Sequence, residues 1–183
     1  MTLVIFTEEP SMKEALNAIM PKLGIEMRYV RIICFDGVGN MEKSLPTQLS
    51  VLSKDGSNRI LVLRDNDNGC CQAHKTRIRN MTRAANIDER SKVRIVCQML
   101  EAWFIGDSKA LSASRHFEKP VPKRLTKCDP DTLGNPKAEL RKLRDGYTEI
   151  KGARAIAPHI TVAANRSKSF QHTIQAIRDL TKA

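Results

Sequence analysis

The sequence predicts an α/β fold: a mainly parallel sheet flanked by helices, with a helical and loop-rich C-terminal extension. Three observations predict it. Short, continuously apolar runs such as Leu3–Phe6 and Ile60–Leu63 have the form of strands covered on both faces. Segments with apolar residues at helical spacing lie between them, as crossovers between parallel strands require. Further on, Pro120, Pro122, Pro130 and Pro136 divide the chain into loops and short helices that cannot extend a sheet. A chain of 183 residues is expected to form one globular unit, with an α/β core over 1–107 and an extension over 108–183 packed on it.

The elements follow in order. Leu3–Phe6 is the first strand, and it runs into Glu8-Glu9. Pro10-Ser11 opens a helix with Leu16, Ile19, Met20 and Leu23 along one face, and Gly24 stops it. A second strand is expected at about Met27–Cys34, a turn over Asp36–Asn40, and a helix from about Met41 to Ser53 that presents Leu45, Leu49 and Leu52. After the loop Asp55–Asn58 comes a third strand within Arg59–Arg64, then a basic helix over Cys71–Ala85 and a fourth strand at Val93–Val96. Met99–Ile105 reads as helix. The last helix spans Ser167–Lys182, with Ser167 as its N-cap and Phe170, Ile174, Ile177 and Leu180 as its apolar stripe.

Composition narrows the function. The formal charge of +11 favours polyanionic partners, above all nucleic acid, while the 4% aromatic content argues against a base-stacking platform. Five cysteines without paired spacing argue against a disulfide framework and for a reducing cytoplasm. Cys70, Cys71 and His74 can share a helical turn, but no second ligand pair accompanies them for zinc. The N-terminal apolar run is too short for a signal peptide or membrane span. The acidic loop after the third strand departs from an EF-hand at Gly69 and Thr76, and neither a Walker glycine-lysine loop nor a GxSxG elbow occurs.

The carboxylates carry the chemistry. Asp65-Asn66-Asp67 closes the third strand, Glu8 follows the first, and Glu101 follows the fourth. Parallel sheets bind ligands beyond their C-terminal strand ends, and hard cations select clustered carboxylate oxygens. Glu8, Asp65, Asp67 and Glu101 are therefore the expected metal and catalytic set for Mg²⁺ or Mn²⁺, suited to phosphoryl transfer. Simpler readings exist for single members: Asp67 as turn chemistry, Glu9 as a charge at a helix N-terminus. Lys75 on the basic helix, Arg154, Arg166 and Lys168 are the expected nucleic-acid contacts, and their simpler reading is solvated surface charge.

The Glu8 and Asp65-Asn66-Asp67 pattern resembles TOPRIM-like domains of topoisomerases, primases and nucleases of the overcoming-lysogenization-defect type. More closely, the chain resembles a bacterial TOPRIM-related family known as a domain of unknown function, DUF 4276. The runs that carry this are Glu8-Glu9-Pro10-Ser11, Leu63–Asp67, Leu100–Asp107, Gly152–Ile156 and Asn165–Phe170, spread over most of the chain. Glu9 stands where many TOPRIM domains have Gly, and Val38 and Cys70 stand near positions where the close family carries Lys and Asp. The resemblance implies a Mg²⁺-dependent nuclease on DNA or RNA, akin to nuclease subunits of phage-defence and mobile-element systems, with an ABC-like ATPase as a partner and homo-oligomers as an option. A non-catalytic module that binds nucleic acid or docks on an ATPase is the alternative, and a small-molecule phosphohydrolase a third reading.

Overall fold

The structure is a computed structural model, and it describes residues 1–182, so residue 183 of the expected extension lies outside the described residues. Four strands, β1 (Thr2–Thr7), β2 (Val30–Cys34), β3 (Asn58–Asp65) and β4 (Ser91–Val96), form one sheet in the order β2-β1-β3-β4, every neighbouring pair parallel. The apolar side chains of β1 and β3 alternate between two cores. Leu3, Ile5, Leu61 and Leu63 enter one; Val4, Phe6, Ile60 and Val62 enter the other.

The helices follow from that division. α1 (Pro10–Ile19) buries Met12, Leu16 and Ile19 in the first core, while α2 (Gly37–Ser53) and α3 (Cys71–Ala84) supply Met41, Leu45, Leu49 and Ile78 to the second. The path leaves β1 toward β2 on one side and returns to β3 on the other. The boundary between β1 and β3 is thus a topological switch point, where crossovers splay to opposite faces and leave a crevice at the strand ends.

Two stretches differ from the sequence expectation. Met27–Tyr29 is a single 3₁₀ turn rather than the start of β2, closed by the Tyr29 N–H on Glu26 O at 3.0 Å. Asp36–Asn40 is not a free turn, because Gly37 opens α2. The cause is local: the β1–β2 ladder continues past the strands through Phe35 N–H to Thr7 O (2.9 Å) and Gly37 N–H to Glu8 O (3.1 Å). Gly37, at φ 81°, supplies the left-handed conformation that turns the chain from that ladder directly into the helix.

Beyond the sheet come α4 (Glu101–Gly106), α5 (Ser108–Ala113), α6 (Lys123–Lys127), α7 (Pro136–Arg141), α8 (Glu149–Ile156) and α9 (Lys168–Thr181). These join the first core, in which Trp103, Leu125, Leu140, Ile156 and Phe170 pack in one cluster with Leu3, Leu16 and Leu61. Trp103 is fixed at its polar end by Nε1–H donating to Ser169 Oγ at 2.9 Å and lies edge-on to Phe170. Ser167 caps α9 as expected, its Oγ accepting from the Phe170 N–H at 3.1 Å. Among the described residues no helix is long and apolar enough to cross a membrane.

Candidate functional site

The parallel arrangement brings the C-terminal ends of β1, β3 and β4 to one edge, so three carboxylates expected from sequence arrive there for a topological reason. Glu8 follows β1 and is 7% exposed; Asp65 is the last residue of β3 and is 8% exposed; Glu101 opens α4 and is 2% exposed. Glu8, Glu9 and Asp65 line a small cleft with Met12, Leu63 and Leu100, and its volume is about 10 Å³. That is close to the ~10–15 Å³ needed to hold one water.

Asp67 is placed differently. The loop after β3 extends the β3–β4 ladder, with the Asn66 N–H on Val96 O and the Asp67 N–H on Gln98 O, both at 3.0 Å. Asp67 and Asn68 then adopt left-handed φ values of 48° and 60°, and the chain closes through Gly69 N–H to Asn66 O at 2.7 Å. Asp67 is exposed at the rim. Gly69 is required by close approach, since a Cβ there would lie 2.2 Å from His74 Nε2. The same His74 takes its place through Nδ1, 2.9 Å from Arg64 Nη1, which also donates to Glu42 Oε1 at 3.0 Å.

The electrostatics of the edge are those of crowded negative charge. Burial, then Glu9, Glu8, Glu101 and Asp67, push the Asp65 carboxyl well above its usual range. Burial and Asp67 raise Glu8 to about 7, against a hydrogen bond from the Asp65 backbone. Burial also raises Glu101 to about 7, partly opposed by its own backbone hydrogen bond and by Lys137. Glu8 Oε2 and Asn66 Oδ1 are buried oxygens without a hydrogen-bond partner. Among the described residues, no three His, Cys, Asp or Glu side chains are arranged so as to hold a metal ion. The carboxylates converge electrostatically on Asp65 without closing into a ligand set among the described residues.

The C-terminal part contributes two residues that the sequence did not reveal, one on α7 and one in the loop between α7 and α8. Tyr147 donates its hydroxyl to Glu101 Oε1 at 3.3 Å, across 46 residues of sequence. Burial and the Glu101 charge push that phenol far above its usual value, so it remains a donor. Lys137 pairs with Glu149 at 2.9 Å. Burial works against its ammonium, but Glu149, Glu101 and Glu9 hold it above its usual value. No local pattern marks either residue; the first strand end and α4 find them only through tertiary packing. Gly152 makes room for the phenol, because a Cβ there would sit 2.5 Å from the Tyr147 ring. Gly152→Ala is therefore expected to displace Tyr147 and destabilise the protein by about 1–3 kcal/mol, the usual range for overpacking. A urea titration checks this: an unchanged midpoint would show that the ring has space to move.

The expected nucleic-acid contacts are dispersed. Lys75 lies on α3, in the turn after the Asp67 loop. Lys168 is exposed at the start of α9. Arg154 pairs with Glu14 of α1 at 2.7 Å. Arg166 is engaged inside the molecule: Nη2 donates to Ile105 O and Leu125 O, each at 3.0 Å, and Nη1 donates to Cys128 O. The N-terminus of α9 is likewise taken, by Asp131, which accepts from Ser167 Oγ at 2.6 Å and from the Ser169 N–H at 2.9 Å.

An acidic crevice at the switch point of a parallel sheet, with a helical C-terminal part closing one core over it, defines a TOPRIM-like α/β protein. The chain belongs to the DUF4276 family, a domain of unknown function, whose model matches residues 7–178. Among solved structures, it is similar to the C-terminal region of the Burkholderia pseudomallei OLD protein, with a TM-score of 0.63 at 16% identity, covering 97% of this chain and 97% of that one. It is also similar to the C-terminal region of the Xanthomonas campestris pv. campestris OLD protein, at 0.59 and 14%, covering 97% of this chain and 94% of the other. At such identities the likeness is one of fold. No curated protein matches the chain.

Proposed function

We propose that the protein is a nuclease of TOPRIM type, hydrolysing phosphodiester bonds of DNA or RNA with Mg²⁺ or Mn²⁺. One observation carries the reading: Asp65 is buried at the switch point within electrostatic reach of both Glu8 and Glu101, themselves buried, and Glu8 Oε2 has no partner. Buried carboxylates without compensating positive charge are unfavourable as anions, and a divalent cation supplies that charge. The donors are all hard oxygens, which suits magnesium, and the water-sized cleft suits an ion that retains part of its hydration.

Asp65 and Asp67 would hold the ion, Glu8 would bridge or act as general base, and Glu101 would support a second ion. Bound there, the ion would lower the pKa of an attacking water and offset charge on the phosphoryl oxygens. Glu101 is oriented by the Tyr147 hydroxyl, and Met12, Leu63 and Leu100 give the cleft an apolar inner wall, which strengthens each charge interaction. Lys75 and Lys168 remain available for phosphate, whereas Arg154 and Arg166 have the partners described above. In this reading residues 1–107 form the catalytic core and residues 108–183 its extension. A phage-defence or mobile-element role with a partner ATPase, in the cytoplasm, is what the family resemblance adds.

The spread of the carboxylates favours one further reading, a non-catalytic module that uses the same fold to bind nucleic acid or an ATPase. Cleavage separates the two. Wild-type protein incubated with plasmid, single-stranded DNA and RNA in Mg²⁺ or Mn²⁺ is expected to nick or degrade at least one of them. Asp65→Ala combined with Asp67→Ala is expected to lower that activity by ~10²–10³-fold, as loss of electrostatic stabilisation at a reacting centre does. Equal behaviour of wild type and variant on every substrate sinks the nuclease reading.

A further inference from the structure

We propose that the groove between α3 and the outer edge of β4 is a track for a nucleic-acid backbone, leading substrate to and from the carboxylate crevice. The inference rests on the nuclease reading but concerns a separate surface. The groove has a volume of about 210 Å³, and four cations, Lys75, Arg79, Lys92 and Arg94, line it together with Asp88.

The geometry of α3 sets the track's direction. Lys75, Arg79 and Arg83 recur every four residues, which spaces them roughly 6 Å apart along one helix face, close to the separation of successive phosphates in an extended strand. α3 leaves directly from the loop that holds Asp67, so the row starts beside the crevice and runs away from it. β4 completes the opposite wall. It is the outer strand of the sheet: Val93 and Ile95 are buried on the face that α3 covers, Lys92 and Arg94 stand on the opposite face, and the groove runs round the open strand edge between them and α3. Arg94 is held in place by Nε–H donating to His172 O at 3.1 Å, and among the described residues its Nη2 donors are uncommitted.

The charge balance favours phosphate. Asp88 is shared between Arg79 and Arg83 at 3.5 Å from each, and such long, exposed pairs contribute little. Among the described residues Lys75 and Lys92 form no ion pair. Cations on an outer strand also discourage the addition of another strand, so the open edge of β4 suits a polyanion running alongside it better than a peptide paired to it. Phosphate contacts of this kind position nucleic acid without reading its sequence.

The experiment measures binding without catalysis. Anisotropy of a labelled oligonucleotide, single-stranded and duplex, is followed against salt in EDTA for wild type, for Lys75→Gln with Lys92→Gln, and for a control pair of exposed lysines outside the groove, Lys54→Gln with Lys119→Gln. Loss of two phosphate contacts is expected to flatten the slope of log Kobs against log salt by roughly 1.4 for single strands or 1.8 for duplex, with about tenfold weaker binding at low salt. The control pair is expected to leave the slope unchanged. An unaltered slope in the groove variant, or an equal loss in the control, overturns the track. So does displacement of the oligonucleotide by an acidic peptide of equal charge, which would assign the edge to a protein partner. Retained groove-dependent binding by a protein that cleaves nothing supports the track and removes the nuclease reading. Cleavage with an unaltered salt slope does the reverse.

Discussion

Asp65→Asn is expected to make the metal-free protein more stable while lowering Mg²⁺-dependent cleavage by ~10²–10³-fold, in keeping with the loss of a centre of electrostatic stabilisation. The substitution keeps the shape of a side chain that is 8% exposed and removes an ionisable carboxyl whose anion is disfavoured by burial and by four neighbouring carboxylates. Relief of that conflict is expected to raise the thermal midpoint, by roughly 2–4 °C for each kcal/mol in a chain of this size. The pH dependence has a defined sign. Glu8 and Glu101 are raised to about 7 from 4.5, so the folded state binds more protons than the unfolded state between those values. Their contribution to stability is fully present below pH ~4.5 and is lost as pH rises through about 7. Thermal unfolding in EDTA is therefore expected to worsen from pH 5 to pH 8. Mg²⁺ at pH 8 is expected to restore the midpoint in wild type, through preferential binding to the folded state, and to do so weakly or not at all in Asp65→Asn. A wild-type midpoint that is insensitive to Mg²⁺ and equal to that of the variant would mean that the buried charges are satisfied without an ion.

The parts of this site that sit at strand ends were legible in the sequence because strand ends are. Apolar runs of four residues or so mark β1 and β3, and whatever follows them must lie at the sheet's C-terminal edge. Glu8 and Asp65 needed no knowledge of distant contacts. Asp67 did: its place at the rim depends on the left-handed turn through Asn68 and on the ladder bond to Gln98. Tyr147 and Lys137 were hidden because the short helix α7 and the loop after it, which carry them, reach α4 only through the first core. The Asp36–Asn40 stretch misled for a related reason. Asp-Gly pairs favour turns in isolation, but the extended β1–β2 ladder fixes Gly37 where a helix can begin at once. Local chemistry and tertiary bonding agree through most of the sheet and diverge at its C-terminal edge, where the conflict between burial and charge is also greatest.

The same divergence decides what Arg166 does, and Arg166→Ala is expected to be the most destabilising of the substitutions at basic positions. Beside Lys168 and the start of α9, the residue has the sequence context of a phosphate contact. In the fold its guanidinium ties the end of α4 to α6 and to the loop before Asp131, donating to Ile105 O, Leu125 O and Cys128 O. The Arg166 N–H also bonds Gly106 O at 3.0 Å, so backbone and side chain clamp the same junction. Truncation removes the guanidinium donor from three carbonyls, of which Leu125 O keeps the Cys128 thiol at 3.6 Å. At about 1 kcal/mol or more for each of the other two, the loss is about 2 kcal/mol or more. That corresponds to a fall in thermal midpoint of roughly 4–8 °C. Arg166→Lys is expected to recover only part of it, since an ammonium on a flexible stem cannot hold three carbonyls in the geometry of a planar fork. Lys168→Ala, two residues on and exposed, is expected to shift the midpoint little. Oligonucleotide binding separates the two roles. If Arg166 is internal, Arg166→Ala protein that remains folded at low temperature keeps the wild-type salt slope, because no phosphate contact has been removed. A flattened slope with an unchanged midpoint would instead assign the guanidinium to the nucleic acid.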